Sequence, residues 1–306
     1  MHEIVIATRG SALALWQANA VAAMLRGRYP SLDVRLEVIT TTGDRNLETP
    51  LSTIGDKGLF TKELEAALLA GRAHCAVHSL KDMQTQLPGG LMLGAVARRH
   101  AAEDVLVAAP GGTLGSLPHG AVVATGSLRR TAQLRAMRPD LQIVDVRGNI
   151  GTRVEKYHAN NWAGMLLARA GLERLGMEAE IAEVIDASVI VPAVGQGALG
   201  IECRADDAAT LELLAAIEHE ETRAATAAER AMLRVLEGGC QVPVGGHAVI
   251  TDGVLRLDGV IASVDGTRLV RDAVQGSAAD AESIGERLAA RLLDAGGAAI
   301  LEGIRG

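Results

Sequence analysis

The chain has 306 residues, 48% of them hydrophobic and 22% charged, with a net charge of −7 and 2% aromatic residues. That length suggests about two domains, or three small ones. An acidic chain so poor in rings lacks the basic surface and stacking platforms of a nucleic-acid binder. Three widely spaced cysteines, Cys75, Cys203 and Cys240, include no Cys-x-x-Cys, which argues for reduced thiols and against a thiolate zinc site. No apolar run approaches the roughly 20 residues of a membrane span, and the start shows no basic-then-apolar leader. A cytoplasmic protein is expected.

Ile4–Thr8 reads as a short buried strand that runs into Arg9-Gly-Ser11 and an amphipathic helix from Ala12 to about Leu25, with Ser11 as N-cap. After a strand at Val34–Ile39, the polar stretch Thr40–Lys57 has no clear period. A loop of that length suggests a lid or a disordered segment. Gly58–Ala70 reads as a helix ended by Gly71, and Ala73–Val77 as a strand delivering His78-Ser-Leu-Lys-Asp82 at its carboxyl end. Strands at Leu91–Val96 and Val105–Ala108 follow.

A second unit then repeats the first, with strand Ala121–Thr125, turn Gly126-Ser127 and helix Leu128–Met137. Ala124-Thr-Gly-Ser127 stands beside Ala7-Thr-Arg-Gly-Ser11. Two such halves suggest two α/β domains facing a cleft, with helix N-termini suited to anions. Strand Leu141–Val146 runs into Arg147-Gly-Asn-Ile-Gly-Thr-Arg153 and a helix, and strand Met165–Ala168 precedes Gly171-Leu-Glu-Arg174. Val191-Pro-Ala-Val-Gly-Gln-Gly-Ala198 is a glycine-punctuated crossing that suits a hinge, before strand Leu199–Cys203. Two helices, about Asp207–Ile217 and Glu221–Leu236, lead to Cys240. The tail, with strands near 247–251, 254–261 and 268–274 and a helix near 280–294, reads as an α+β domain of its own.

The cations comprise 26 Arg and four Lys. Codon bias is the bland explanation, and bidentate recognition of carboxylate or phosphate is the chemical one. Position favours chemistry. Arg9, Lys81, Arg129, Arg130, Arg147 and Arg153 fall at strand ends or helix starts, so the implied ligand carries several negative charges. For Arg129 or Arg130 taken singly, a solvated helix face is the plainer reading. Asp82, beside Lys81, is either a turn cap or the group that moves a proton and steadies a developing cation. His78 reads as a structural histidine more readily than as a base. His74, His78 and His100 make no ligand spacing, and no metal is expected. No dinucleotide fingerprint or Walker sequence is present, which disfavours nucleotide cofactors. Cys240 lies between glycine pairs in Glu237-Gly-Gly-Cys-Gln-Val-Pro-Val-Gly-Gly246, on a tight loop open to a bulky group, unless it is a small buried hydrophobe.

Eight blocks in order carry a resemblance: Ala7–Gln17, Gly55–Phe60, Val77–Asp82, Thr125–Arg130, Arg147–Arg153, Pro192–Ala198, Glu202–Arg204 and Glu237–Pro243. The chain resembles the porphobilinogen deaminases, also called hydroxymethylbilane synthases. The resemblance implies an α/β fold with two periplasmic-binding-protein-like α/β domains facing a cleft and a small C-terminal α+β domain. Its expected boundaries are 1–97 with 198–216, 98–197, and 217–306. It also implies a dipyrromethane cofactor held by Cys240 through a thioether, on which four porphobilinogens are joined and released as hydroxymethylbilane. Every pyrrole ring of that chain bears an acetate and a propionate, which suits arginines and helix N-termini.

By the same resemblance, Arg9, Ser11, Gln17, Arg147, Arg153, Arg174 and Gln196 contact substrate. Lys81, Asp82, Thr125, Ser127, Arg129, Arg130 and Cys240 hold the cofactor. Asp82 becomes the catalytic carboxylate: it hydrogen-bonds the pyrrole N–H while loss of ammonia makes that ring cationic. The family further implies a cytoplasmic monomer that takes porphobilinogen, binds neither nucleic acid nor membrane, and hands its product to a uroporphyrinogen-III synthase. Some positions depart from the family pattern. The usual Lys-Asp-x-Pro reads Lys81-Asp-Met-Gln84, a nearby acid is Gln86, the common Thr-Arg-Gly-Asp is Thr41-Thr-Gly-Asp44, and a frequent lysine is Thr53. A polyanion-binding module or an inactive paralogue are the alternatives, and the first has no need of Asp82 or Cys240.

Overall fold

The computed structural model describes residues 2–45, 60–236 and 242–305. The expected lid beyond residue 45 and the Cys240 loop lie outside these residues. In chain order the elements begin with β1 (Glu3–Arg9), α1 (Ala12–Arg28), β2 (Asp33–Ile39), α2 (Thr42–Arg45), α3 (Lys62–Leu69), β3 (Cys75–Ser79) and β4 (Leu91–Val96). They continue with β5 (Asp104–Val107), β6 (Val122–Ala124), α4 (Leu128–Met137), β7 (Gln142–Val144), α5 (Ile150–Ala159), β8 (Gly164–Ala168), α6 (Arg169–Arg174) and β9 (Ile181–Ile185). The last are β10 (Leu199–Arg204), α7 (Ala208–Ala215), α8 (Glu220–Val235), β11 (Val244–Thr251), β12 (Val254–Ala262), β13 (Leu269–Ser277), α9 (Ala281–Leu292) and α10 (Ala298–Arg305).

These elements fall into two compact units. Residues 2–45, 60–100 and 198–223 make the first, and residues 101–197 with the described part of 224–305 make the second. In the first, five strands lie in the order β2-β1-β3-β10-β4, with β1 parallel to β2 and β3, and β10 antiparallel to β3 and β4. Strand β1 is covered on both faces, so its apolar residues run together instead of alternating. Helix α1 puts Ala18, Val21, Ala22 and Leu25 into the core with Ile4, Ile6 and Val77. Each large aliphatic side chain buried this way contributes about 1.5–3 kcal/mol. Strand β3 starts two residues later than its apolar run suggests and extends to Ser79, because β10 pairs with it as far as Leu199 opposite Ser79.

The second unit holds a sheet in the order β7-β6-β8-β5-β9, with β6 parallel to β7 and β8, and β5 antiparallel to β8 and β9. The two sheets share one pattern of strand directions, although the inner antiparallel strand comes last in the chain order of the first, as β10, and first in that of the second, as β5. The repeat legible as strand, Ala-Thr, Gly, Ser, helix thus extends to the strand arrangement of both sheets. In both, the parallel strands end where the candidate residues begin, the edge at which open α/β sheets hold ligands. A three-stranded antiparallel sheet, β11-β12-β13, packs through Leu255, Leu257 and Ile261 against Ala228 and Met232 of α8 and Ile284, Leu288 and Leu292 of α9. The short helices α2 and α6 escaped the sequence reading, and so did β9 and α10. Strand β9 lies at a sheet edge with only Ile185 buried, so it needs no apolar run, and α10 restarts a helix after the Gly296-Gly297 kink. No helix among the described residues is long and apolar enough to cross a membrane.

Candidate functional site

In the first unit, β1 ends at Arg9 and α1 starts behind Ser11, whose Oγ accepts from Ala14 N–H at 3.3 Å. One turn along the helix, the buried Gln17 donates through Nε2 to Ser79 Oγ at 2.7 Å. This bond ties α1 to the end of β3, from which the turn Leu80–Asp82 emerges. Leu80 is 1% exposed and its N–H donates to Ala198 O at 3.0 Å, so the turn is pinned from below. Lys81 is partly buried and Asp82 is exposed. A carboxylate held on an anchored turn and open to a reactant suits proton transfer better than capping.

Arg9 forms a forked ion pair with Asp44, and its guanidinium lies 4.1 Å from the Phe60 ring centre. Burial alone would raise the pKa of Asp44, but the bonds from Arg9 and Thr41 outweigh it and lower it. Asp44 was not anticipated as a partner; its place in Thr41-Thr-Gly-Asp44, at the start of the polar stretch, hid it. His78 is buried with Glu202, Nε2 and Oε2 being 3.1 Å apart. Glu65 lies close enough to feel both, and burial raises its pKa. The structural reading of His78 fits this pair.

In the second unit, Thr125 follows β6 and is 3% exposed, and Ser127 N–H reaches Thr125 Oγ1 at 3.4 Å. A Cβ on Gly126 would lie 2.7 Å from Val146 O, so only glycine lets this turn press against the turn that carries Arg147. Arg147 and Arg153 flank the start of α5, where Arg153 Nε donates to Gly148 O at 2.7 Å. Arg174 ends α6, 8% exposed, and donates to Gly197 O at 2.7 Å. Burial pulls its pKa down to about 10. Gln196 is 1% exposed and donates through Nε2 to Ala102 O and to Asp104 Oδ1.

Arg129 and Arg130 correct one expectation. Neither is on a solvated helix face; each is 5% exposed, and both grip Asp104, which is fully buried. They occupy the first turn of α4, where the helix dipole disfavours cations. Burial alone would raise the pKa of Asp104, but the two guanidinium charges outweigh it and hold the carboxyl well below the usual range. Asp104 was missed by sequence reasoning. The available signal was an acid opening the apolar strand Asp104-Val-Leu-Val107, since a charge at a buried strand position needs a partner.

Helices α1, α4 and α5 all start without an acidic residue in the first turn and with arginine beside it. Such starts offer N–H groups to anions, with positive charge added at α4 and α5, while Arg9 beside α1 is already paired with Asp44. In each unit the donors suit a ligand rich in carboxylates. Among the described residues no group of three or more His, Cys, Asp or Glu could hold a metal ion.

Residues 4–212 match the family model described as porphobilinogen deaminase, dipyromethane cofactor binding domain, and residues 224–294 match the porphobilinogen deaminase C-terminal domain. The chain is 53% identical over 304 residues to a porphobilinogen deaminase of Desulforudis audaxviator, covering 99% of this chain and 98% of that one. It is 51% identical to one of Pelotomaculum thermopropionicum, covering 99% and 97%. Its backbone is also similar, at 11% identity and a TM-score of 0.41, to a TRAP periplasmic solute binding protein from Desulfovibrio salexigens, with 72% and 73% covered. Matched across both of its family models and nearly end to end with its relatives, the chain belongs to the porphobilinogen deaminase family.

Proposed function

We propose that this enzyme, a porphobilinogen deaminase, builds hydroxymethylbilane on a dipyrromethane primer attached through a thioether to Cys240, with Asp82 as its catalytic carboxylate. The observation that carries the reading is the set of helix starts free of acids and flanked by arginines, which suits a ligand with two carboxylates on every ring. The fit extends to Arg129, whose Nε is buried with no hydrogen-bond partner among the described residues. Lys81, Thr125, Ser127, Arg129 and Arg130 would hold the primer, which supplies the nucleophilic α-carbon that the first substrate joins.

The remaining roles belong to the chain's own side chains. Arg9, Ser11, Gln17, Arg147, Arg153, Arg174 and Gln196 orient the substrate's acetate and propionate, by charge or by supporting the groups that carry it. The Asp82 carboxylate accepts the pyrrole N–H, stabilises positive charge on that ring as ammonia leaves, and takes the proton released at the α-carbon. Burial of Cys75 and Cys203 supports Cys240 as the anchor. Both are fully buried, and burial pushes the Cys203 thiol up to about 11 and the Cys75 thiol higher still. A thiol must be accessible and partly ionised to alkylate. The same reading makes the enzyme a monomer that passes its product to a uroporphyrinogen-III synthase.

Intact mass of the purified chain, with the rate of hydroxymethylbilane formation from porphobilinogen, tests this. The expected mass exceeds the sequence by one dipyrromethane. A chain of bare sequence mass that binds the substrate without consuming it would make the protein a binding module. Arg147→Gln and Arg153→Gln should each weaken substrate binding or stall elongation about 10- to 100-fold, the loss of a charge-assisted contact of about 1.5–3 kcal/mol. Unchanged kinetics and unchanged trapped intermediates in both variants would remove the carboxylate contacts from this edge.

A further inference from the structure

Asp104 is a fully buried carboxylate with an unusual load of donors. Its Oδ2 accepts from Arg129 Nη1 at 2.7 Å. Its Oδ1 accepts from Arg129 Nη2 at 3.2 Å, Arg130 Nε at 3.0 Å, Arg130 Nη2 at 2.7 Å and Gln196 Nε2 at 2.8 Å. The remaining grips are backbone carbonyls: Val191 O accepts from Arg129 Nη1 and Leu166 O from Arg130 Nη1, each side chain thereby reaching a different part of the unit. Among the described residues, Asp104 and Arg130 supply the charges that act on Arg129. Two buried guanidiniums thus share one anion, at a helix N-terminus that adds positive potential. Within this trio one positive charge is left over, and Arg129 Nε is a buried donor with no hydrogen-bond partner among the described residues. A desolvated cation without an anion is costly, so this excess is a specification for a ligand.

We propose that Asp104 is a positioning residue of the cofactor half-site: its one carboxylate aims both guanidiniums and cancels one of their two charges, so that the cluster takes a single ring carboxylate of the primer. Asp104 itself touches no ligand. Gln196 joins the crossing segment 192–198 to the same oxygen, so the aim of the arginines and the path of that segment are set together. The inference rests on the reading of a Cys240-bound dipyrromethane, and its test separates the two.

Full-length chains with Asp104→Asn, Asp104→Asn/Arg130→Gln and Asp104→Glu are purified beside the wild type. Each is read by melting temperature, intact mass and the salt sensitivity of primer acquisition by the primer-free chain. Asp104→Asn leaves two buried cations uncompensated and should melt lower, with the primer-bearing fraction reduced at least 10-fold. The double variant restores the charge balance, so it should regain most of the melting temperature but not the primer. Asp104→Glu keeps the charge and moves it by one methylene; it should fold normally and carry several-fold less primer. If Asp104→Asn is insoluble, the double variant and Asp104→Glu decide between the two outcomes. Full loading of Asp104→Glu and of the double variant overturns the positioning role, because charge balance alone would then suffice. A wild-type chain without the added mass would instead overturn the underlying cofactor reading.

Discussion

Replacing Asp82 with asparagine is expected to leave the fold and the primer in place and to remove most of the turnover. The side chain is exposed, while the turn that carries it is fixed by Leu80, Met83 and the Leu80 N–H bond to Ala198 O. Exposed substitutions of this kind usually change stability by less than about 0.5 kcal/mol. An amide still accepts a pyrrole N–H, so ring placement survives. It cannot take a proton or offset a cationic ring, and general acid–base help alone is worth about 10²–10⁴-fold, with lost charge stabilisation on top. Asp82→Glu should fare better than asparagine, since charge matters more here than one methylene. The assay is hydroxymethylbilane formation by preparations matched for primer content. An asparagine variant within a few-fold of the wild type would return Asp82 to a turn cap.

Cys240→Ser should give a folded chain with neither primer nor activity. The prediction is sharp because burial weighs against the alternatives: Cys75 and Cys203 face each other inside the first unit's sheet, and burial raises the pKa of both thiols. A serine hydroxyl at the same place is far too weak an acid to take over. Melting temperature and intact mass read the two halves of the claim separately. A Cys240→Ser chain that keeps both its chromophore and full activity would move the anchor elsewhere, with Cys203 the next candidate.

Much of this site is legible in the sequence because its chemistry is carried by short local patterns. Strand, Ala-Thr, Gly, Ser and helix announce both halves, and they mark real strand ends at Arg9 and Ala124. What stays hidden is pairing across distance. Asp104 is 25 residues from Arg129, and Glu202 is 124 from His78, so no window along the chain shows either bond. The burial of Arg129 and Arg130 was hidden for the same reason. A guanidinium in a core depends on its partner, and the partner lies on another strand. Edge strand β9 was missed because its residues are mostly half exposed, which blurs the apolar signal.

Strand β10 has a consequence for how the protein is made. It lies inside its sheet, between β3 and β4, yet residues Leu199–Arg204 leave the ribosome after all of β5 to β9. The first sheet to be translated therefore stays split until residue 204 has emerged. The second sheet is built from one continuous run, Asp104 to Ile185, and can close before it. Roughly 100 residues separate β4 from β10, a wait of about 5–20 s at ordinary translation rates. During that time β3 and β4 expose edges that only β10 will cover, a stretch of synthesis in which chaperones or codon-paced pauses have something specific to protect.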